Sequence, residues 1–241
     1  MNETVDLKTI VSGGSSLARP SSLAEEAATA LREMILLEKL PAGTALPERD
    51  LSDGLGISRT PLREAIRILA NEGLVEFSAS RRPRVADPTL EEITDYLRVQ
   101  GALEALSGEL ACAIASDDEL EQIARMNAEM VERHGKDDPV TSFRRDMAFH
   151  RAIVAASHNA PLADTHATYN ARLWRARFMS SQRKQSREST WAEHQQIVDA
   201  LVRRDGPAAA AALKNHLTTA VGNIKRAQQE REAALAKENA L

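Results

Sequence analysis

Asp146 and His150 stand four residues apart in Phe143-Arg144-Arg145-Asp146-Met147-Ala148-Phe149-His150. On a helix that spacing puts a carboxylate and an imidazole on one face, where both can reach a single metal ion. His194, in Glu193-His194-Gln195-Gln196-Ile197, and His216, in Leu213-Lys214-Asn215-His216-Leu217, each stand beside an apolar stripe. A side chain there can point into the centre of a bundle. Three imidazoles and one carboxylate suit a divalent transition metal with positions left open for a ligand: zinc first, with nickel, manganese or iron as alternatives. Taken alone, an Asp-x3-His pair is more often a surface pair or a satisfied core histidine. His134, His158 and His166 fall where the sequence reads as loops or exposed faces.

A second constellation is basic. Leu62, Ala65, Ile66 and Leu69 recur at helical spacing and form one apolar face, with Arg59, Thr60, Arg63 and Arg67 off it. Ser58 is an N-cap residue type, and Pro61 lies early enough in a helix to be tolerated. Arginines near a helix N-terminus oppose the helix dipole, and a nearby polyanion offsets that cost. Leu46 to Leu55 reads as a short preceding helix, with Gly56-Ile57 as the tight turn. Such a helix–turn–helix lays its second helix in the major groove of DNA. After Gly73, two short strands around Ser78 to Pro83 form a wing with Arg81 and Arg82 near its tip.

These residues need elements to position them. Met1 to Pro20 is polar and reads as a flexible tail, and Ser22-Leu23-Ala24-Glu25 has capping-box spacing. The helix it opens carries Ala27, Leu31, Met34 and Ile35 on one face, and Pro41-Ala42-Gly43 is expected to end it. Asp87-Pro88-Thr89 marks a boundary. The spacing then predicts helices over roughly 89–115, 117–134, 138–157, 161–180, 187–204 and 207–235, with the Ser/Arg/Lys run 180–187 as one of the breaks. The expected fold is mainly α: an N-terminal winged helix-turn-helix domain over 21–87 with a small β-wing, and a C-terminal antiparallel all-α helical bundle over 88–241.

Composition narrows the function. At 241 residues and 43 % hydrophobic, the chain can bury a sizeable core in one or two domains. Two Trp, two Tyr and four Phe argue against single-stranded nucleic acid read by stacked rings. A net charge of −4 leaves DNA binding to a local basic patch. The one cysteine, Cys112, stands with Leu106, Leu110 and Ile114 at helical spacing and reads as core. It excludes a disulfide framework and fits a reducing cytoplasm. No segment approaches the roughly 20 apolar residues of a membrane span, and the N-terminus lacks a signal-peptide pattern.

The strings Leu46-Pro47-Glu48-Arg49-Asp50-Leu51, Gly56-Ile57-Ser58-Arg59-Thr60-Pro61-Leu62-Arg63-Glu64-Ala65 and Glu72-Gly73-Leu74-Val75-Glu76 resemble the winged helix of the GntR family of bacterial transcription regulators. That resemblance implies operator contacts by Arg49, Arg59 and Arg63 with help from Thr60. Ser58 at the helix start and Arg81 and Arg82 of the wing complete the expected DNA-binding set. Arg82 replaces the glycine usual in the family's wing. Residues from about Asp95 to Ala220 look like the FCD ligand-binding domain of the FadR subfamily, through Asp146 to His150, Glu193 to Ile197 and Asn215 to Leu217. Six helices and a short linker resemble its VanR-like branch. Carried across residue by residue, Asp146, His150, His194 and His216 are the metal ligands. Many FCD domains hold the effector's carboxylate with an Arg four residues before the Glu matched here by Glu104; here that position is Gln100. Arg172 and Arg175 are candidates for the missing charge, with an exposed basic stripe as the alternative.

The expectation is therefore a ligand-responsive regulator, a repressor in the family's commoner mode. It would bind a palindromic double-stranded operator as a homodimer and respond to a small carboxylate-containing metabolite. A metal-dependent hydrolase and an architectural DNA-binding protein without an effector are the competing readings. Clustered histidines disfavour the second, and the first lacks a placed acid or base.

Overall fold

The computed structural model describes residues 23–182 and 184–238, so the expected tail and Ser22 of the capping box lie outside it. Helix α1 (Leu23–Leu36) buries Ala27, Ala28, Leu31 and Ile35. It ends five residues before Pro41: Glu38 turns left-handed (φ 55°) and the Leu40 N–H bonds back to the Met34 carbonyl at 3.1 Å. The stop is thus made by a left-handed residue rather than by the proline.

Helix α2 (Glu48–Leu55) closes on Gly56, whose φ of 65° is the left-handed value a glycine adopts without strain. Helix α3 (Arg59–Asn71) follows, with Leu62, Ala65, Ile66 and Leu69 buried against α1. Ser58 has the extended backbone of an N-cap, but its hydroxyl makes no capping bond, contrary to expectation. Strands β1 (Val75–Phe77) and β2 (Pro83–Val85) pair antiparallel, with Val75 opposite Val85, Glu76 opposite Arg84 and Phe77 opposite Pro83. At the wing turn the left-handed residue is Arg81 (φ 56°), not Arg82.

Six helices form the second unit: α4 (Leu90–Ile114), α5 (Asp117–Glu132), α6 (Pro139–Ala156), α7 (Ala160–Ser181), α8 (Lys184–Val202) and α9 (Gly206–Glu238). The run 180–187 is a much shorter break than expected, since α7 continues to Ser181 and α8 starts at Lys184. Reciprocal capping boxes start α4 (Thr89, Glu92) and α5 (Ser116, Glu119), and the Asp138 and Asn159 side chains cap α6 and α7. Gly108 lets α4 and α9 approach closely, for a Cβ there would lie 2.6 Å from Leu213 Cδ1. Arg204, left-handed at φ 56°, donates to the Cys112 and Ala115 carbonyls and to Asp117, closing the α4–α5 corner.

Cys112 is buried, as expected, but Leu106 and Ile114 are 43 % and 53 % exposed. With Val99 they form an apolar stripe on the outer face of α4. The two units share a seam. Leu36 of α1 packs with Phe143, Met147 and Phe178, and Trp174 touches both this cluster and the winged-helix core. Glu38 accepts a bond from Arg175 at 2.7 Å, and Glu33 one from Arg144.

Candidate metal centre and nucleic-acid interface

Helix α6 presents Asp146 and His150 one turn apart, α8 presents His194 and α9 presents His216. The imidazoles are 1 %, 1 % and 7 % exposed. One ring nitrogen from each lies within 4.8 Å of the others. Asp146 Oδ1 is 3.4 Å from His194 Nε2 and 3.8 Å from His150 Nε2. Donors at 2.0–2.1 Å from a tetrahedral ion stand roughly 3.4 Å apart, so the four side chains need only close by fractions of an ångström to an ångström or so. The structure brings together all four expected ligands.

Two carboxylates the sequence reading did not assign to this centre orient the rings. Glu193 Oε2 lies 2.8 Å from His216 Nδ1, and Glu104 Oε2 lies 2.8 Å from His150 Nδ1, at ion-pair distance though off the axis of a hydrogen bond. A carboxylate on Nδ1 fixes the tautomer that leaves Nε2 for a metal. Among the described residues, His150 Nε2 and both nitrogens of His194 have no hydrogen-bond partner, a costly state for buried polar atoms that an ion would relieve. Burial lowers the pKa of His150, Glu104 only partly opposing it. His194 is pushed well below the usual range, by burial and then by the neighbouring histidines. Both are thus neutral imidazoles, the form that ligates. Burial alone would raise Glu104, but His150, His166 and Arg177 outweigh it and keep the carboxyl ionised. The donor set fits a divalent transition metal.

The effector candidates separate. Gln100 is buried and sits 3.4 Å from Glu104, so it joins the network behind His150. Arg172 is exposed, donating to the Tyr96 hydroxyl and covering its ring, and Arg175 is held by Glu38. Neither charge reaches the centre, because both project toward the seam side of α7. The buried arginine is Arg177, 3.5 Å from Glu104 and 3.0 Å from Asn170 Oδ1. His166, expected on an exposed face, is buried and 3.3 Å from Glu104. A signal for these residues existed. Leu162, His166, Asn170, Leu173, Arg177 and Ser180 follow helical spacing, so polar residues occupy the core stripe of α7.

The DNA-facing candidates present a different surface. Arg49, Ser58, Arg59, Thr60 and Arg63 are all exposed at α2 and the start of α3, and Arg81 and Arg82 are exposed on the wing. Arg63 Nε rests on Glu48 at 2.8 Å, and Arg84 pairs across the strands with Glu76.

Comparison with known proteins covers both units. Residues 23–85 match bacterial regulatory proteins of the gntR family, and residues 95–219 match the FCD domain. An HTH-type transcriptional regulator in an unstable DNA locus of Streptomyces ambofaciens is 32 % identical over 203 residues, covering 81 % of this chain and 82 % of that one. The transcriptional repressor RspR of Escherichia coli is 27 % identical, covering 83 % and 88 %. The Glc operon transcriptional activator of the same organism is 28 % identical, covering 84 % and 89 %. Among solved structures, E. coli McbR/YncC has the same fold, with a TM-score of 0.72 at 17 % identity over 86 % of this chain and 99 % of that one. A GntR regulator from Rhodococcus sp. RHA1 gives 0.67 at 25 % identity, covering 83 % and 96 %. These relatives regulate transcription, which leaves the hydrolase alternative without support.

Proposed function

This chain belongs to the gntR family of bacterial regulatory proteins, and we propose that it is a metal-dependent, ligand-responsive repressor. Its winged helix makes it a DNA-binding transcription regulator, and the FCD domain implies a small-molecule effector. In this reading residues 21–87 form the DNA-binding domain and residues 88–241 the effector-binding and dimerisation domain. The exposed Val99, Leu106 and Ile114 on α4 support a homodimer, since a soluble protein seldom leaves such a stripe uncovered. A two-fold dimer would read a palindromic operator, with Arg49, Ser58, Arg59, Thr60 and Arg63 in the major groove and Arg81 and Arg82 on the wing.

The observation that carries the effector half is the buried cluster of three imidazoles with orphaned nitrogens, two of its rings backed by carboxylates. Asp146, His150, His194 and His216 would hold the ion, zinc in the first instance. The bound ion would supply an open Lewis-acid position for an organic acid. Glu104 and Glu193 hold the imidazole tautomers, and the surrounding helices bury the three rings. Elemental analysis tests the site. Wild type should carry one metal per chain, His194→Ala and His216→Ala should lose it, and exposed His158→Ala should keep it. Full occupancy in both cluster variants would remove the assignment.

A further inference from the structure

A cavity of about 320 Å³ lies in the seam between the two units, and none of the four proposed metal ligands lines it. Arg32, Glu72 and Leu74 face it from the winged-helix side. Arg151 of α6 and Ala167, Asn170, Ala171 and Trp174 of α7 face it from the bundle. Its charges are unevenly spent. Arg32 grips Glu72 through two bonds, of 2.6 Å and 2.9 Å, so those two cancel. Arg151 has no ion pair or hydrogen bond among the described residues; partial burial lowers its pKa, and no carboxylate opposes the shift. Asn170 gives its Oδ1 to Arg177 at 3.0 Å, which leaves its amide hydrogens unspent. The buried indole Nε1 of Trp174 also lacks a partner among the described residues. The lining side chains that are short of partners are thus all donors, and one of them carries a full positive charge. The remaining wall is apolar: Leu74, Ala167, Ala171 and the Trp174 ring. A mostly apolar pocket with a few polar groups, set between domains, is the usual setting of a small-molecule site.

We propose that this seam cavity is a second ligand site, for a small organic oxyanion whose head sits on Arg151 and whose apolar body lies against Leu74 and Trp174. A guanidinium takes a carboxylate or a phosphate through two parallel N–H bonds, so an arginine without a partner is a ready anchor for either. An inorganic anion would satisfy Arg151 but leave most of a space the size of roughly ten waters, at about 30 Å³ each, wetted against apolar side chains. A neutral apolar molecule would fill the space and leave Arg151 unpaired. The ligand would touch both units at once, since Leu74 belongs to one and Arg151 to the other. Its affinity is thus linked to how the units pack, and by reciprocity the ligand biases that packing. The site is independent of the metal reading, because its anchor and its walls lie outside the histidine cluster.

The test follows tryptophan fluorescence in the full chain carrying Trp191→Phe, which leaves Trp174 as the only tryptophan. Calorimetry on wild type serves if that variant does not fold. Hexyl phosphate and hexanoate are titrated, with inorganic phosphate and hexanol as the separate halves, each with and without chelator. At least one of the two anions should bind saturably, tenfold or more tightly than either half, and equally with and without chelator. Tighter hexyl phosphate assigns a phosphate monoester as the ligand, and tighter hexanoate a carboxylate. Arg151→Met should weaken the anion about tenfold, as for a lost charge-assisted bond, and Arg151→Lys should recover part of the loss. Ala167→Phe, which takes up cavity space without altering a charge, should also weaken it about tenfold. Both positions are exposed, so the variants should keep the wild-type melting temperature. Saturable binding by neither anion, or affinity indifferent to both Arg151→Met and Ala167→Phe, would overturn the inference. Binding that disappears with chelator would overturn it too, by moving the anion to the metal centre.

Discussion

Replacing Arg177 by Met should cost the fold about 3 kcal/mol. Arg177 and Glu104 are both almost wholly buried, 3.5 Å apart. At that separation, and an effective dielectric of about 20, opposite unit charges attract by about 5 kcal/mol. Removing one member of a buried pair typically costs 3–5 kcal/mol, because the other charge stays behind without compensation. Three polar nitrogens remain near Glu104: His150 Nδ1 at 2.8 Å, His166 Nε2 at 3.3 Å and Gln100 Nε2 at 3.4 Å. They place the expected loss at the low end. Methionine fills much of the arginine's volume, so a cavity contributes little. Urea unfolding followed by circular dichroism, with chelator present so that metal loss plays no part, gives the value. The double variant Glu104→Gln, Arg177→Met should recover most of the loss, since it leaves no charge buried. A cost below about 1 kcal/mol, or a double variant no better than the single, would refute the argument that Arg177 is there to keep Glu104 ionised.

Other consequences follow from single contacts. Arg63→Ala should weaken operator binding by about 1–3 kcal/mol, as for a good base contact, whereas Glu48→Gln should tighten it severalfold by releasing Arg63; gel shifts at fixed salt measure both, and a weaker Glu48→Gln would contradict the competition. Arg204→Ala should lose about 1–2 kcal/mol with its charged bonds to the α4 terminus, discounted for partial exposure. Arg204→Gly should lose less, because φ 56° suits glycine; the reverse order in chemical denaturation would refute the strain. The Asp138 carboxyl is held below its usual pKa by the Thr141 hydroxyl and then by the Thr141 backbone N–H. A depressed folded value contributes stability above the unfolded value and loses it as pH falls through the folded one. The melting temperature of wild type should therefore drop more between roughly pH 5 and pH 3 than that of Asp138→Asn, which keeps a capping group but does not titrate.

The elements were legible because their signals are local. Leu62, Ala65, Ile66 and Leu69 declare the buried face of α3 by spacing alone, and Asp146 and His150 share a face through one helical turn. The convergence of His194 and His216 on that turn came from resemblance, since spacing within α8 and α9 does not say which helices face one another. What remained hidden depends on tertiary geometry. Glu104 and Glu193 become ring-orienting groups only once α4, α8 and α9 are packed. Arg172 and Arg175 drew notice as a pair of charges, yet rotation along α7 sends them to the seam and sends Arg177 inward. Leu106 and Ile114 looked like core because composition cannot tell an inner apolar stripe from an outer one. Arg204 carried no sequence signal, because its partners Cys112, Ala115 and Asp117 are remote in the chain.

Trp174 makes the two halves of this protein poor candidates for exchange. Its ring is packed into the winged-helix core on one side and against Phe143 on the other, while Arg172 presses on Gly73 so closely that a Cβ there would lie 2.5 Å from Arg172 Cγ. A grafted DNA-binding half from a relative would arrive with its own surface against Trp174 and its own partners for Arg144 and Arg175. Such a chimera could keep every proposed DNA-facing residue and every proposed metal ligand and still fail to transmit a signal. Within a lineage of such regulators, the exposed residues of α3 are then free to diversify by point substitution, while the residues of the seam must change together across both halves.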